Sequence, residues 1–385
     1  MWKYNRGEWS EAYVFLKLLA DGKMFLQNKD GERTDSSCSI KSVIHNEKDG
    51  ALFEFVRVDN SVKCMRNNSC YNTIPYSVFS EMAAVCADGI INKQIKEKAF
   101  PITPIENFYT NELDLSTIKS PGENKDDIVL KIIDSVDNTL FMEGFSIKSK
   151  FGSAATLFNF SKASNIVYTI KKCTEEEKNK INSFINAGHK DVKSRIQYIL
   201  NSDRLSLSAQ NSRMVNGSYG DIKTNGSFFM WNLDILDYRI IFVLAEMLKK
   251  VYVPKSITDI EELTNLLAKE NPLQIENNLI KTPDAYDFYT MKMRQFLFAA
   301  FCGLTASKKW SGKQKVNGGY IEVQKNGSIL YQKALSDESF TDYLIKNTKF
   351  DTPSSKSEKG DFGDVYFNDE YNSYCIDLNF QIRFK

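Results

Sequence analysis

Apolar residues near the start of the chain recur at helical spacing. Trp9, Ala12, Tyr13, Leu16, Leu19 and Ala20 form one stripe, which predicts a helix opening near Asn5. Asn5 can cap its first turn, and Glu8 three residues on completes a capping-box pattern. Gly22 supplies the stop. The stretch NKDGERTDSS reads as a loop. The run LFEFVRV predicts a strand within 51–58, and a helix is expected between Pro75 and Gly89. Residues 111–125, with Pro121-Gly122, read as a connector.

Period two then takes over. DIVLKIID (127–134) and LFMEGFSIKS (140–149) flank SVDNT, a hairpin signature. SAATLFNFSKAS (153–164) reads as a short helix and NIVYTIKK (165–172) as the next strand. From Thr174 to about Phe301 the pattern is mostly helical. TEEEKNKINSFINAG has an acidic first turn and a glycine stop, and DILDYRIIFVLAEMLKKVY reads as one long helix with lysines at its end. After Trp310, GGYIEVQKNGSILYQ alternates on either side of Asn-Gly, a second hairpin signature. The polar stretch DTPSSKSEKGDFGD precedes final strands ending in LNFQIRF. The fold class expected is α/β: a mixed sheet flanked by helices over 1–172, a helical segment over 173–301, and a mixed C-terminal region over 302–385.

Composition narrows the chemistry. With 385 residues, 42% of them hydrophobic, the chain can bury a substantial core. Its 50 basic and 49 acidic residues leave a net charge of +1, so binding to nucleic acid would need a local basic patch rather than a whole-molecule field. Seven cysteines without a CxxC pair, and no signal-peptide pattern in MWKYNRGEWSE, predict a reduced, cytoplasmic protein. The longest apolar run, near Ile240 to Leu248, is too short to span a bilayer. Only two histidines, His45 and His189, argue against paired-histidine nucleases and phosphodiesterases. No Walker A is present, because Gln314 follows Gly312-Lys313 and Ser307 stands at the earlier glycine position.

Residues two apart on a strand share a face, so Ser146 lies beside Lys148, whereas Glu143 faces away with Phe145 and Ile147. Asp127 begins the preceding strand of the hairpin and can reach Lys148 across the pair if the register permits; Asp126 is its rival. An acid on one strand, a lysine on the next and an acid from a helix suit metal-dependent phosphodiester cleavage. Carboxylates hold Mg²⁺ through hard oxygen ligands, and the lysine positions water and stabilises charge in the transition state. The helix acid would be Glu8 or Glu11, which lie one turn apart on the same face.

This arrangement resembles the PD-(D/E)XK nuclease core, with one departure: Ser146 stands where that pattern carries an acid. Larger blocks resemble the HpaII-type restriction endonucleases: NRGEWSEAYVFLKLLADG, GFSIKSKFGSAATLFNFSKASN, GHKDVKSRI, NLDILD, WSGKQKVNGGYIEV and LNFQIRF, spread over nearly the whole chain. The resemblance implies a type II restriction enzyme that cleaves duplex DNA with Mg²⁺ at a short palindrome, CCGG, leaving 5′-phosphate ends. It implies Asp127, the Ile147 carbonyl and Glu8 as metal ligands, with Glu11 the alternative helix acid, Lys148 as the catalytic lysine, and Glu8 or Glu11 orienting a water. Ser146 would hydrogen-bond there or stand as a passive small residue. A palindromic target suits a homodimer. A restriction role also implies a companion DNA methyltransferase.

Candidate DNA contacts are Lys190, Lys193 and Arg195 at a helix start, Lys309, Trp310 and Lys313 in KKWSGKQK, and Ser354 and Lys356 in the polar loop. Two rival readings remain. One is a nuclease of the same core with a different target. The other is a DNA-binding module whose metal site has decayed, which Ser146 motivates.

Overall fold

The computed structural model describes residues 1–47, 49–92, 97–119, 126–134, 139–152, 154–210, 227–275, 285–312, 318–333, 338–353 and 361–385. The chain divides into two units, each assembled from two stretches: 1–155 with 314–343, and 156–313 with 344–385. The three consecutive segments expected from the sequence follow chain order, whereas these units interleave.

The first unit opens with α1 (Arg6–Asp21), capped by Asn5 and closed by Gly22 in the left-handed conformation, φ 72°. Five strands follow: β1 (Lys23–Gln27), β2 (Arg33–Asn46), β3 (Leu52–Val58), β4 (Ser61–Arg66) and β5 (Ser69–Pro75). Helices α2 (Tyr76–Ile91) and α3 (Thr103–Asn111) come next, then the antiparallel hairpin β6 (Ile128–Asp134) and β7 (Leu140–Ser149). The expected loop at NKDGERTDSS is therefore a strand from Arg33 onward. Its serines and charges hide the period, because this end of β2 is largely exposed on both faces.

All these strands join one mixed sheet. The strand Gly319–Val323 runs parallel to β7, and its hairpin partner Ile329–Lys333 pairs with β1. β1 also pairs with β2, which closes six strands into a ring and leaves β3, β4 and β5 as an extension. One face carries Phe145, Ile147, Ile321 and Val323 into a core with Trp9, Leu16 and Leu19 of α1 and with Phe79 and Ile90 of α2. The alternate face carries Ser146, Lys148, Tyr320 and Glu322.

The second unit holds helices Glu175–Asn182, Val192–Leu200, Ser227–Leu236, Ile240–Val251, Ile260–Glu270 and Ala285–Phe301, with three small antiparallel sheets among its described residues. Three expectations change here. The short helix expected at 153–164 is a strand, Thr156–Phe158, and a single turn at Lys162–Ser164; Phe158 is buried against Phe229, Phe296 and Phe380. The helix expected through Gly188 stops at Asn182, and a short strand pair follows. The single helix expected over 234–252 breaks at Asp237, whose carboxylate accepts from Arg239 N at 2.9 Å and from Lys292 Nζ at 2.6 Å. No described helix is long and apolar enough to cross a membrane.

Candidate active site

Asn5 and Glu8 cap α1 reciprocally: Glu8 N donates to Asn5 Oδ1 at 3.0 Å, and Asn5 N donates to Glu8 Oε2 at 2.8 Å. The other Glu8 oxygen takes an ion pair from Lys119 at 2.8 Å. Both oxygens of Glu8 are thus committed. Glu11, one turn on, is pushed up to about 8, first by burial, then by Asp127, with Glu8 adding and Lys119 and Lys148 opposing.

Asp127 sits just before β6, where its N–H donates to Phe145 O at 2.9 Å. Its Oδ2 accepts from Ile147 N at 2.6 Å and from Ser146 Oγ at 3.1 Å. Lys148 Nζ donates to the same Ser146 Oγ at 2.9 Å. Ser146 therefore links lysine to aspartate, using its proton on one side and a lone pair on the other. Ile128 faces Phe145 in the ladder, so Asp127 comes opposite Ser146 and meets Lys148 through that hydroxyl. The N–H and C=O of one strand residue point to the same side, so the Ile147 carbonyl faces the edge where Asp127 lies.

Asp126 packs against Gly144. A Cβ on residue 144 would lie 2.2 Å from Asp126 Cγ. Burial, then Asp127, push Asp126 up to about 6, and its Oδ1 is buried with no hydrogen-bond partner among the described residues. Four carboxylates (Glu8, Glu11, Asp126 and Asp127) thus gather near Lys119 and Lys148. A divalent cation suits this donor set: it would offset the burial and, after it, the repulsion that raise Glu11 and Asp126, and hard oxygens are its preferred ligands. No group of three His, Cys, Asp or Glu side chains among the described residues is arranged to hold a metal alone, so main-chain oxygen and water must complete a shell.

The other expected residues lie on the second unit. Arg195 is 2% exposed, so its placement at the phosphate backbone is corrected: it clamps Phe184 O, Asn182 O, Gly363 O and Asp364. Lys190 pairs with Asp364 at 2.6 Å, and Lys193 donates to Ser256 Oγ at 3.2 Å. Lys309 is exposed, with its ammonium 4.8 Å from the Trp231 ring centre. Trp310 N donates to the buried Asn232, which also holds Thr305 O and Lys308 O and so fixes the loop's path. Lys313, Ser354 and Lys356 lie outside the described residues. The sequence reading missed Lys119, which sits unmarked in the connector, and Asn232, hidden among apolar neighbours.

An aspartate just before a strand, a serine-bridged lysine and a half-buried helix carboxylate thus come together beside the mixed sheet. The comparisons agree on the class, a type II site-specific deoxyribonuclease. The profile of the HpaII restriction endonuclease family matches residues 5–384. The type II restriction enzyme HpaII of Haemophilus parainfluenzae is 31% identical over 380 residues, covering 99% of this chain and 98% of that protein. The chain belongs to the HpaII restriction endonuclease family. No solved structure matches it.

Proposed function

We propose that the protein hydrolyses duplex DNA at a short palindrome, CCGG, in a Mg²⁺-dependent reaction that leaves 5′-phosphate and 3′-hydroxyl ends. The fold reading that accompanies this is a restriction-endonuclease-like core formed by the first unit. The observation that carries it is the chain Lys148–Ser146–Asp127 beside the half-buried Glu11.

Asp127, Glu11 and the Ile147 carbonyl are the residues that would hold Mg²⁺, with Asp126 adjoining. Glu11 takes the helix-acid role in preference to Glu8, whose oxygens serve the cap and Lys119. When bound, Mg²⁺ neutralises phosphate charge and makes a coordinated water more acidic. Lys148 spends one N–H on Ser146. Its remaining donors hold the attacking water in line with phosphorus and stabilise the growing negative charge. Ser146 keeps that ammonium in register with Asp127, a task that needs a hydroxyl and no charge. Lys308 and Lys309, exposed on the loop held by Asn232, contact backbone phosphate. A homodimer matches a palindromic site, and a methyltransferase protects the same sequence in the cell.

Digestion of a sequenced plasmid with Mg²⁺ or with EDTA, followed by sequencing of the ends, tests this reading. Cuts at CCGG with Mg²⁺ alone, abolished by Lys148→Ala while DNA binding persists, are expected. Cuts at another sequence would keep the nuclease and replace the target. Ser146, a neutral residue at an acidic position, favours one rival: a DNA-binding module without cleavage. Binding by wild type and Lys148→Ala alike, with no Mg²⁺-dependent cutting by either, would establish that rival.

A further inference from the structure

Strand Gly319–Val323 places Glu322 directly across from Lys148 on the same face of the parallel pair. Two lysines, Lys148 and Lys150, share that face. Glu322 is 1% exposed, so its charge needs compensation from protein groups. It takes that compensation from Lys150 at 2.6 Å and forms no ion pair with Lys148.

The reason lies in how its lone pairs are used. Oε1 accepts from Lys150 Nζ and from Gln324 Nε2. Oε2 accepts from Tyr320 Oη at 2.7 Å and from Tyr343 Oη at 2.7 Å. A carboxylate offers about four acceptor sites, and these four donors fill them. Tyr320 and Tyr343 are themselves buried, so water does not replace them. An ammonium in an ion pair with a buried carboxylate would have one N–H fewer for water and phosphate and would be drawn toward that carboxylate.

We infer that Glu322 is a positioning residue: saturated by Tyr320, Tyr343, Gln324 and Lys150, it anchors Lys150 while leaving Lys148 unpaired for the reacting phosphate. The inference rests on the reading of Lys148 as the catalytic lysine. The tyrosines keep an acidic neighbour from capturing that lysine. Removing them opens Oε2 inside the protein, where the nearest cation across the strand pair is Lys148.

The test compares wild type, Tyr343→Phe, Tyr320→Phe/Tyr343→Phe, and each variant combined with Glu322→Gln, all in the full chain. Two quantities are read: reductive methylation of Lys148 in metal-free protein, quantified by mass spectrometry, and Mg²⁺-dependent cleavage of CCGG DNA. The tyrosine variants should methylate Lys148 more slowly and cleave about tenfold or more slowly, with DNA binding in EDTA unchanged. Adding Glu322→Gln should restore both rates, a rescue that lost packing would not give. Unchanged methylation of Lys148 in the tyrosine variants, or losses that persist in the Glu322→Gln background, would overturn the inference. Tyr343→Phe removes one oxygen only, and it carries the same comparison if the double variant does not fold. Lys148→Ala separates the two readings: full cleavage by that variant would remove Lys148 from catalysis, whereas the methylation pattern would still report the pairing of Glu322.

Discussion

Glu11→Gln should stabilise the metal-free protein while abolishing its activity. Glu11 is held in a partly buried position among like charges and pushed up to about 8 from an ordinary value of 4.5. The unfolded chain gives up this proton near 4.5, whereas the folded chain keeps it to about 8. The folded state thus binds more protons across that window, so stability falls as pH rises through it. At about 1.4 kcal/mol per pKa unit the ceiling is about 5 kcal/mol, and neighbouring carboxylates and solvent share the penalty, so we expect about half of that. Glutamine keeps the shape and carries no charge to desolvate. Urea unfolding in EDTA from pH 5 to pH 9 is the assay. The two proteins should have similar stabilities at pH 5, and the variant should lead increasingly up to pH 8 and level off above it. Mg²⁺ should then raise the stability of the native protein at pH 8 more than that of the variant. A variant no more stable than wild type at pH 8, or a difference independent of pH, would refute the claim that burial and like charges burden the ionised Glu11.

Other substitutions separate structural from functional cations. Arg195→Ala should cost about 3 kcal/mol in urea unfolding, because it strands several buried acceptors, and should leave the salt dependence of DNA binding unchanged. Lys309→Ala should lower the slope of log affinity against log salt by about one without changing the melting temperature. Gly144→Ala should displace Asp126 and cost about 1–3 kcal/mol by overpacking, with cleavage reduced beyond what partial unfolding explains; equal loss of cleavage and folded fraction would show that Asp126 has no part in the site.

How far the sequence disclosed this arrangement depends on how local each determinant is. The cap of α1, its glycine stop and both hairpins are set by contacts among residues a few positions apart, and all were legible. The register of the first hairpin, which sets Asp127 opposite Ser146, was left open by the sequence and is seen only in the ladder. β2 was not legible, because its first half lies exposed and lacks an apolar period. Thr156–Phe158 was not, because three residues carry no periodicity and their strand pairing comes from residues 382–383. Glu322 looked like an ordinary polar position in an alternating strand. Its meaning comes from Lys148, more than 170 positions earlier, through a parallel pairing that leaves no mark in either stretch. The ion pair between Lys119 and Glu8 was equally hidden, because Lys119 lies in a connector more than a hundred positions away.

The placement of Gly319–Val323 beside β7 has a consequence for synthesis. Until the ribosome has released that segment, the strand bearing Lys148 has an open edge, no tyrosines guard its neighbourhood, and the ring is broken between β1 and β7. A nascent chain, or one cut short by a premature stop codon, carries every one of Glu11, Asp127, Ser146 and Lys148 yet lacks the frame that aligns them. The frame around Lys148 therefore closes only after a segment made about 170 residues later has been added to the sheet.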